Sequence, residues 1–160
     1  MITVNAMPVE ILAEDVRRLL ALRECEMEDC QVLYYPYYYL RARVRTRILS
    51  RKVDLSMYCA VDLNQGAEAL LDDAPRTVAR SVPPDQVVGQ KLSSSEAREK
   101  AGRYLLSYLS HRLKVLQVPS LEIEEEGVYH RPFWVVSYRA KVGRAALVVD
   151  GISGAFHSLV

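Results

Sequence analysis

The apolar positions of this chain fall into two helical stripes and several runs of strand-like alternation. Val9, Leu12, Val16, Leu19 and Leu20 recur at three- and four-residue spacing, with Glu10, Glu14, Asp15, Arg17 and Arg18 between them. That period predicts an amphipathic helix starting near Pro8, whose missing N–H is harmless in a first turn. Its end is expected to fray over residues 24–29. Residues 32–49 then read as one long strand, because Tyr, Val, Ile and Thr dominate them, and residues 52–62 read as a second. Ser93 with Glu96 three residues on forms a capping box. Behind it Ala97, Ala101, Tyr104, Leu105, Tyr108 and Leu109 make one apolar stripe, which predicts a second helix from 94 to about 114. Residues 121–126, 128–142 and 145–150 read as strands, with 155–159 as a short closing one.

The chain also repeats itself. Tyr34-Tyr35-Pro36-Tyr37-Tyr38-Tyr39 is followed by Val61-Asp62-Leu63-Asn64-Gln65-Gly66-Ala67, and His130-Arg131-Pro132-Phe133-Trp134 by Val149-Asp150-Gly151-Ile152-Ser153-Gly154-Ala155. Each copy places aromatics at a proline, then a β-rich stretch, then Val-Asp-x-x-x-Gly-Ala. Helices ahead of antiparallel strands predict an α+β fold. The expectation is two related helix-plus-antiparallel-sheet units, 1–71 and 93–160, forming a pseudo-twofold internal repeat. Residues 72–92, with Pro75, Pro83, Pro84 and Gly89, read as the linker between them.

In the second half, the helix opening at Ser93, the strand Phe133-Trp134-Val135-Val136-Ser137-Tyr138 and Leu147-Val148-Val149-Asp150-Gly151-Ile152-Ser153-Gly154 together resemble the PepSY domain. The first half resembles a weaker copy, through Val61, Asp62 and Gly66. The resemblance implies a helix over a small antiparallel sheet and a non-catalytic role in inhibitory or regulatory binding. Domains of that kind occur in metalloprotease propeptides and envelope proteins; this sequence shows neither an export signal nor a protease domain.

Bulk composition narrows the field only modestly. With 160 residues, half of them hydrophobic, and a net charge of +1, the chain can bury a core without disulfides and has no global pull towards nucleic acid or anionic lipid. Three cysteines, Cys25, Cys30 and Cys59, are odd in number and suit a reducing compartment. No signal-peptide pattern and no apolar run of membrane-spanning length is seen, so a cytoplasmic location is expected.

Chemistry-bearing residues concentrate on the first long strand. Alternation puts Tyr35, Tyr37, Tyr39, Arg41, Arg43, Arg45 and Arg47 on one face, with Tyr38, Leu40, Ala42, Val44 and Ile48 on the core side. Aromatics beside guanidinium groups can stack bases and neutralise phosphates. Glu122, Glu124 and Glu126 also alternate, and could instead pair with the arginines across strands. Phe133 and Trp134, with the first tyrosines, could line a ligand groove between packed units or simply fill a core.

Cys25 and Cys30 bracket three carboxylates, but His111, His130 and His157 lie apart, so no metal or cofactor is expected. Asp62 and Asp150 read as turn residues that bond their own backbone. No phosphate-binding glycine loop and no hydrolase or metalloprotease motif occurs, so no catalytic residue is assigned. The sequence thus leads to a non-enzymatic binding or adaptor module for a protein or peptide, as the resemblance implies. Single-stranded nucleic acid on the Tyr/Arg face and a small ligand in the aromatic groove are the alternatives. The edges of such small sheets also suit a homodimer.

Overall fold

A computed structural model describes residues 1–113 and 118–159. Their elements run β1 (Ile2–Ala6), α1 (Ala13–Leu22), β2 (Glu26–Ile48), β3 (Arg51–Asp62), β4 (Glu68–Leu71), β5 (Val78–Val82), a 3-10 turn (Pro84–Gln86), α2 (Ser94–Leu113), β6 (Ser120–Ala140), β7 (Gly143–Asp150) and β8 (Phe156–Leu159). The expected end of the second helix at Lys114 lies outside the described residues.

This corrects the fold class. The protein is mostly sheet, 54% strand against 21% helix, and its eight strands form one mixed sheet. The pairing order is β4-β3-β2-β6-β1-β5, with β7 on β6 and β8 on β7. Two helix-plus-antiparallel-sheet repeats do not describe it. The physical reason lies in the long strands. β2 and β6, assigned to two separate sheets by the sequence, are neighbours in one. Parallel contacts also enter, Ala6 beside His130 and Tyr34 beside Val87. Residues 26–29, expected within a fraying helix end, are strand, and so are β1 and β4, to which the sequence assigned no element, and β5, inside the expected linker.

The residues group into two compact units, neither continuous in sequence. One combines Met1–Tyr35, Arg76–Gly89 and His130–Val160; the other combines Pro36–Pro75 and Gln90–Tyr129. In the first, α1 lays Val16 and Leu20 on Val136, Leu147 and Val149, and a smaller cluster joins Val4, Ala6, Tyr34 and Val82. α1 starts later than its apolar spacing predicts. The N–H groups of Glu10 and Ile11 donate to the Gly151 carbonyl at 2.9 and 2.8 Å, which holds that stretch out of the helix. Leu12 therefore becomes the cap residue, 58% exposed, and its N–H donates to the Asp15 carboxylate at 2.8 Å.

In the second unit, α2 buries Ala97, Ala101 and Leu105, spaced by four, against Tyr38, Leu40, Ala42, Cys59, Val61 and Leu63. The capping box forms as the sequence predicts: the Glu96 N–H donates to Ser93 Oγ at 3.1 Å and the Ser93 N–H to Glu96 at 3.4 Å. No helix among the described residues is long and apolar enough to cross a membrane.

Candidate functional site

The alternation of β2 is real and divides its side chains cleanly. Tyr34, Pro36, Tyr38, Leu40, Ala42, Val44 and Thr46 are buried, while Tyr35, Tyr37, Tyr39, Arg41, Arg43, Arg45 and Arg47 keep partial or full exposure. Within the second unit, Tyr37 stacks on Tyr129 at 5.6 Å and Tyr39 meets the same ring edge-on at 5.9 Å. The Tyr39 hydroxyl donates to Glu125 at 2.8 Å. Burial first, and then that carboxylate, push its pKa up, so it stays a donor at neutral pH.

Three of the arginines beyond these tyrosines, Arg41, Arg43 and Arg45, have acidic partners in their own unit. Arg43 makes a two-point pair with Asp54, Nε at 2.9 Å and Nη2 at 3.0 Å, and Arg45 approaches the same carboxylate at 3.9 Å. The hydrogen bond from Arg43 holds Asp54 below the usual carboxylate range, against a smaller upward push from burial. Arg41 reaches Glu124 at 3.8 Å and lies 5.9 Å from the Tyr58 ring. These groups line an open depression of about 270 Å³ with Leu55 and Ser56. Opposite charges thus share its walls.

The glutamates do not alternate as expected. Glu124 and Glu125, consecutive in sequence, both contact the Tyr/Arg face, whereas Glu126 turns to the core side. Two neighbours on one face is the pattern a β-bulge produces. Glu126 there accepts the hydroxyl of Tyr38 and a two-point pair from Arg98 of α2. Arg98 carries no sequence signal for this role, since its partner lies 28 residues away.

The remaining anticipated residues belong to the first unit. Phe133 meets Tyr35 edge-on at 6.0 Å. Trp134 packs beside the α1 core and donates its indole N–H to the Ile11 carbonyl at 2.7 Å, which anchors the segment leading into α1.

The two Asp turns, in contrast, match closely. Asp62 accepts the N–H groups of Asn64 and Gln65 at 2.8 and 2.9 Å, and Asp150 those of Ile152 and Ser153 at 2.8 and 3.3 Å. Each turn closes through a glycine N–H donating to the Asp carbonyl, with Gly66 and Gly154 at φ of 77° and 78°. Asp150 also carries an ion pair from Arg131 at 2.8 Å.

Burial shifts several thiols and phenols towards their protonated forms. Burial first, and then the neighbouring Asp29, raise Cys30, and burial pushes the Cys59 thiol up to about 12. Tyr38 is raised by burial and then by its bond to Glu126. Burial lowers His130, which favours its neutral form. Among the described residues no group of three or more His, Cys, Asp or Glu is arranged to hold a metal ion.

Comparison with protein-family models, with curated proteins and with solved structures found no match to this chain.

Proposed function

We propose that the chain is a non-enzymatic recognition module that takes up an extended, basic segment of a protein or peptide as an added strand. The observation that carries this reading is the open edge of β6. β6 pairs with β2 along one side. On the other side β1 meets it only at His130, and β7 pairs with it only from Phe133 to Ala140. On the side away from β2, residues 121–128 therefore offer backbone N–H and C=O groups that no strand among the described residues takes up. Such an edge is a template for strand addition, in which main-chain bonds supply affinity and alternate side chains supply choice.

Chemistry along that edge favours a basic occupant. Glu122, Glu124, Glu125 and Glu126 stand there beside Ile123, which is 43% exposed; Glu124 and Glu126 each face one arginine, so the acids of this edge outnumber the cations they pair with among the described residues. Thiols and phenols held in their protonated forms fit a surface that binds rather than reacts. The resemblance to PepSY domains points the same way. Nucleic acid on the Tyr/Arg face is less well supported, because Arg41 and Arg43 already face carboxylates.

The test is fluorescence anisotropy with a labelled peptide of alternating valine and lysine. Saturable binding is expected. It should fall away when alternate peptide amides are methylated, and when glutamate replaces lysine. No saturable binding, or equal binding of the methylated peptide, would falsify the reading.

A further inference from the structure

The far end of the β2–β3 hairpin plays no part in the recognition edge, yet it concentrates unfavourable features that the fold does not require. Arg47 stands directly opposite Lys52 in the ladder, so two like charges face each other across strands. Arg51 lies one step nearer the turn, opposite Ile48, and Arg45 is one step below Lys52 on the same face. Residues 44–53 contain these four cations and no acid. Arg45 has only the distant Asp54, and Arg47, Arg51 and Lys52 form no ion pair with any described residue. At the apex, Leu49 is 75% exposed and holds a φ of 54°, a left-handed conformation that leucine adopts only with strain. Local costs gathered at one tip, without a compensating contact, mark a surface shaped for something outside the chain.

We infer that this hairpin tip docks on the surface of an anionic phospholipid bilayer. The four cations meet the lipid phosphates and serines, while Leu49 enters the headgroup boundary ahead of them. An apolar residue at the apex with cationic side chains behind it is the arrangement interfacial binding needs, because long basic side chains reach back to the charged layer. Nucleic acid is the competing polyanion. It is less well served: no aromatic residue lies between 44 and 57 to stack on a base, and an exposed leucine adds nothing to phosphate contact.

The experiment is co-sedimentation of the whole chain with vesicles of phosphatidylcholine alone and of phosphatidylcholine with about one-third phosphatidylserine. Binding is expected only to the anionic vesicles, and should weaken as salt rises. Arg47→Gln with Lys52→Gln should lower partition about 25-fold, at about fivefold per cation removed. Leu49→Ser should lower it by about 10-fold. Melting curves guard against a misfolded variant: the double glutamine protein should melt no lower than the parent, since it loses a like-charge opposition. No binding to anionic vesicles, or binding unchanged in either variant, overturns the inference. So does salt-sensitive binding of an oligonucleotide, read by anisotropy, that needs Arg47 and Lys52 while the vesicles bind nothing.

Discussion

Arg98 clasps Glu126 at two points, 2.7 and 2.8 Å, and so ties the first turns of α2 to β6. The same carboxylate accepts the hydroxyl of Tyr38, whose ring is 1% exposed in the core. A buried phenol thereby reaches a charge at the surface. Arg98 first, and then Tyr38, hold the Glu126 carboxyl below its usual range.

Tyr38→Phe isolates the hydroxyl from the ring. The ring still fills its place, so the loss is one hydrogen bond to a charged acceptor, about 1 to 2 kcal/mol. Urea denaturation should show a lower midpoint with an unchanged slope. Arg98→Ala should do less, because the pair is exposed to solvent on both sides. If Tyr38→Phe leaves the midpoint in place, the hydroxyl does not couple the core to Glu126.

A second carboxylate makes stability depend on acid. Burial pushes Asp150 up, but the Ile152 N–H, Arg131 and the Ser153 N–H together outweigh it, so its folded pKa lies below the ordinary value. A group depressed in the folded state stabilises the protein above its unfolded pKa, near 3.9, and loses that contribution as pH falls through the folded value. Asp150→Asn should therefore cost about 1 to 2 kcal/mol at neutral pH, and its melting temperature should fall less steeply than the parent's below about pH 4. Equal acid slopes for both proteins would remove Asp150 from the account.

The Asp turns were legible in the sequence because their chemistry is local: an Asp, and a glycine four residues on. Gly66 and Gly154 both take positive φ, where a β-branched side chain is strained. Gly66→Val and Gly154→Val should each cost about 1 to 3 kcal/mol in thermal or urea denaturation. An added Cβ at Gly154 would meet Ile11 at an ordinary 3.5 Å, so backbone strain rather than crowding decides that case. Wild-type melting in both variants would show that the turns relax. Gly151 is a different matter that the sequence did not reveal. Its φ is not positive, but a Cβ there would sit 2.8 Å from the Pro132 carbonyl oxygen.

What else could be read followed the same rule. The faces of β2 and the Ser93 cap depend on neighbours one to four residues apart, and both formed as expected. β1, β4 and β5 did not declare themselves, being only four or five residues long. Whether such a segment pairs is decided by a remote strand, as when Ile2 meets Val82. Residues 26–29 were expected to belong to a fraying helix end; Glu26, Glu28 and Asp29 are poor strand formers, and in β2 tertiary pairing overrides that preference. The partners of the Tyr/Arg face were half legible. Glu124 was foreseen, whereas Asp54 lies on the adjoining strand and its closeness to Arg43 depends on hairpin register.

The acidic edge of β6 makes the last prediction. An open strand edge invites pairing with a second copy, and charged side chains are a recognised guard against it. Glu122, Glu124, Glu125 and Glu126 supply that guard, although Glu124, Glu125 and Glu126 already serve Arg41, Tyr39 and Arg98. Glu122→Thr is thus the least disruptive way to weaken it, since threonine suits a strand and adds no charge. Paired with Ile123→Val, which keeps the exposed apolar position β-branched, it should promote concentration-dependent association in sedimentation velocity. The same change should weaken the lysine-bearing peptide more than it alters the melting temperature. If the double variant sediments like the parent at every concentration, the glutamate is not guarding the edge. If it associates but binds the peptide as before, the partner does not use that edge.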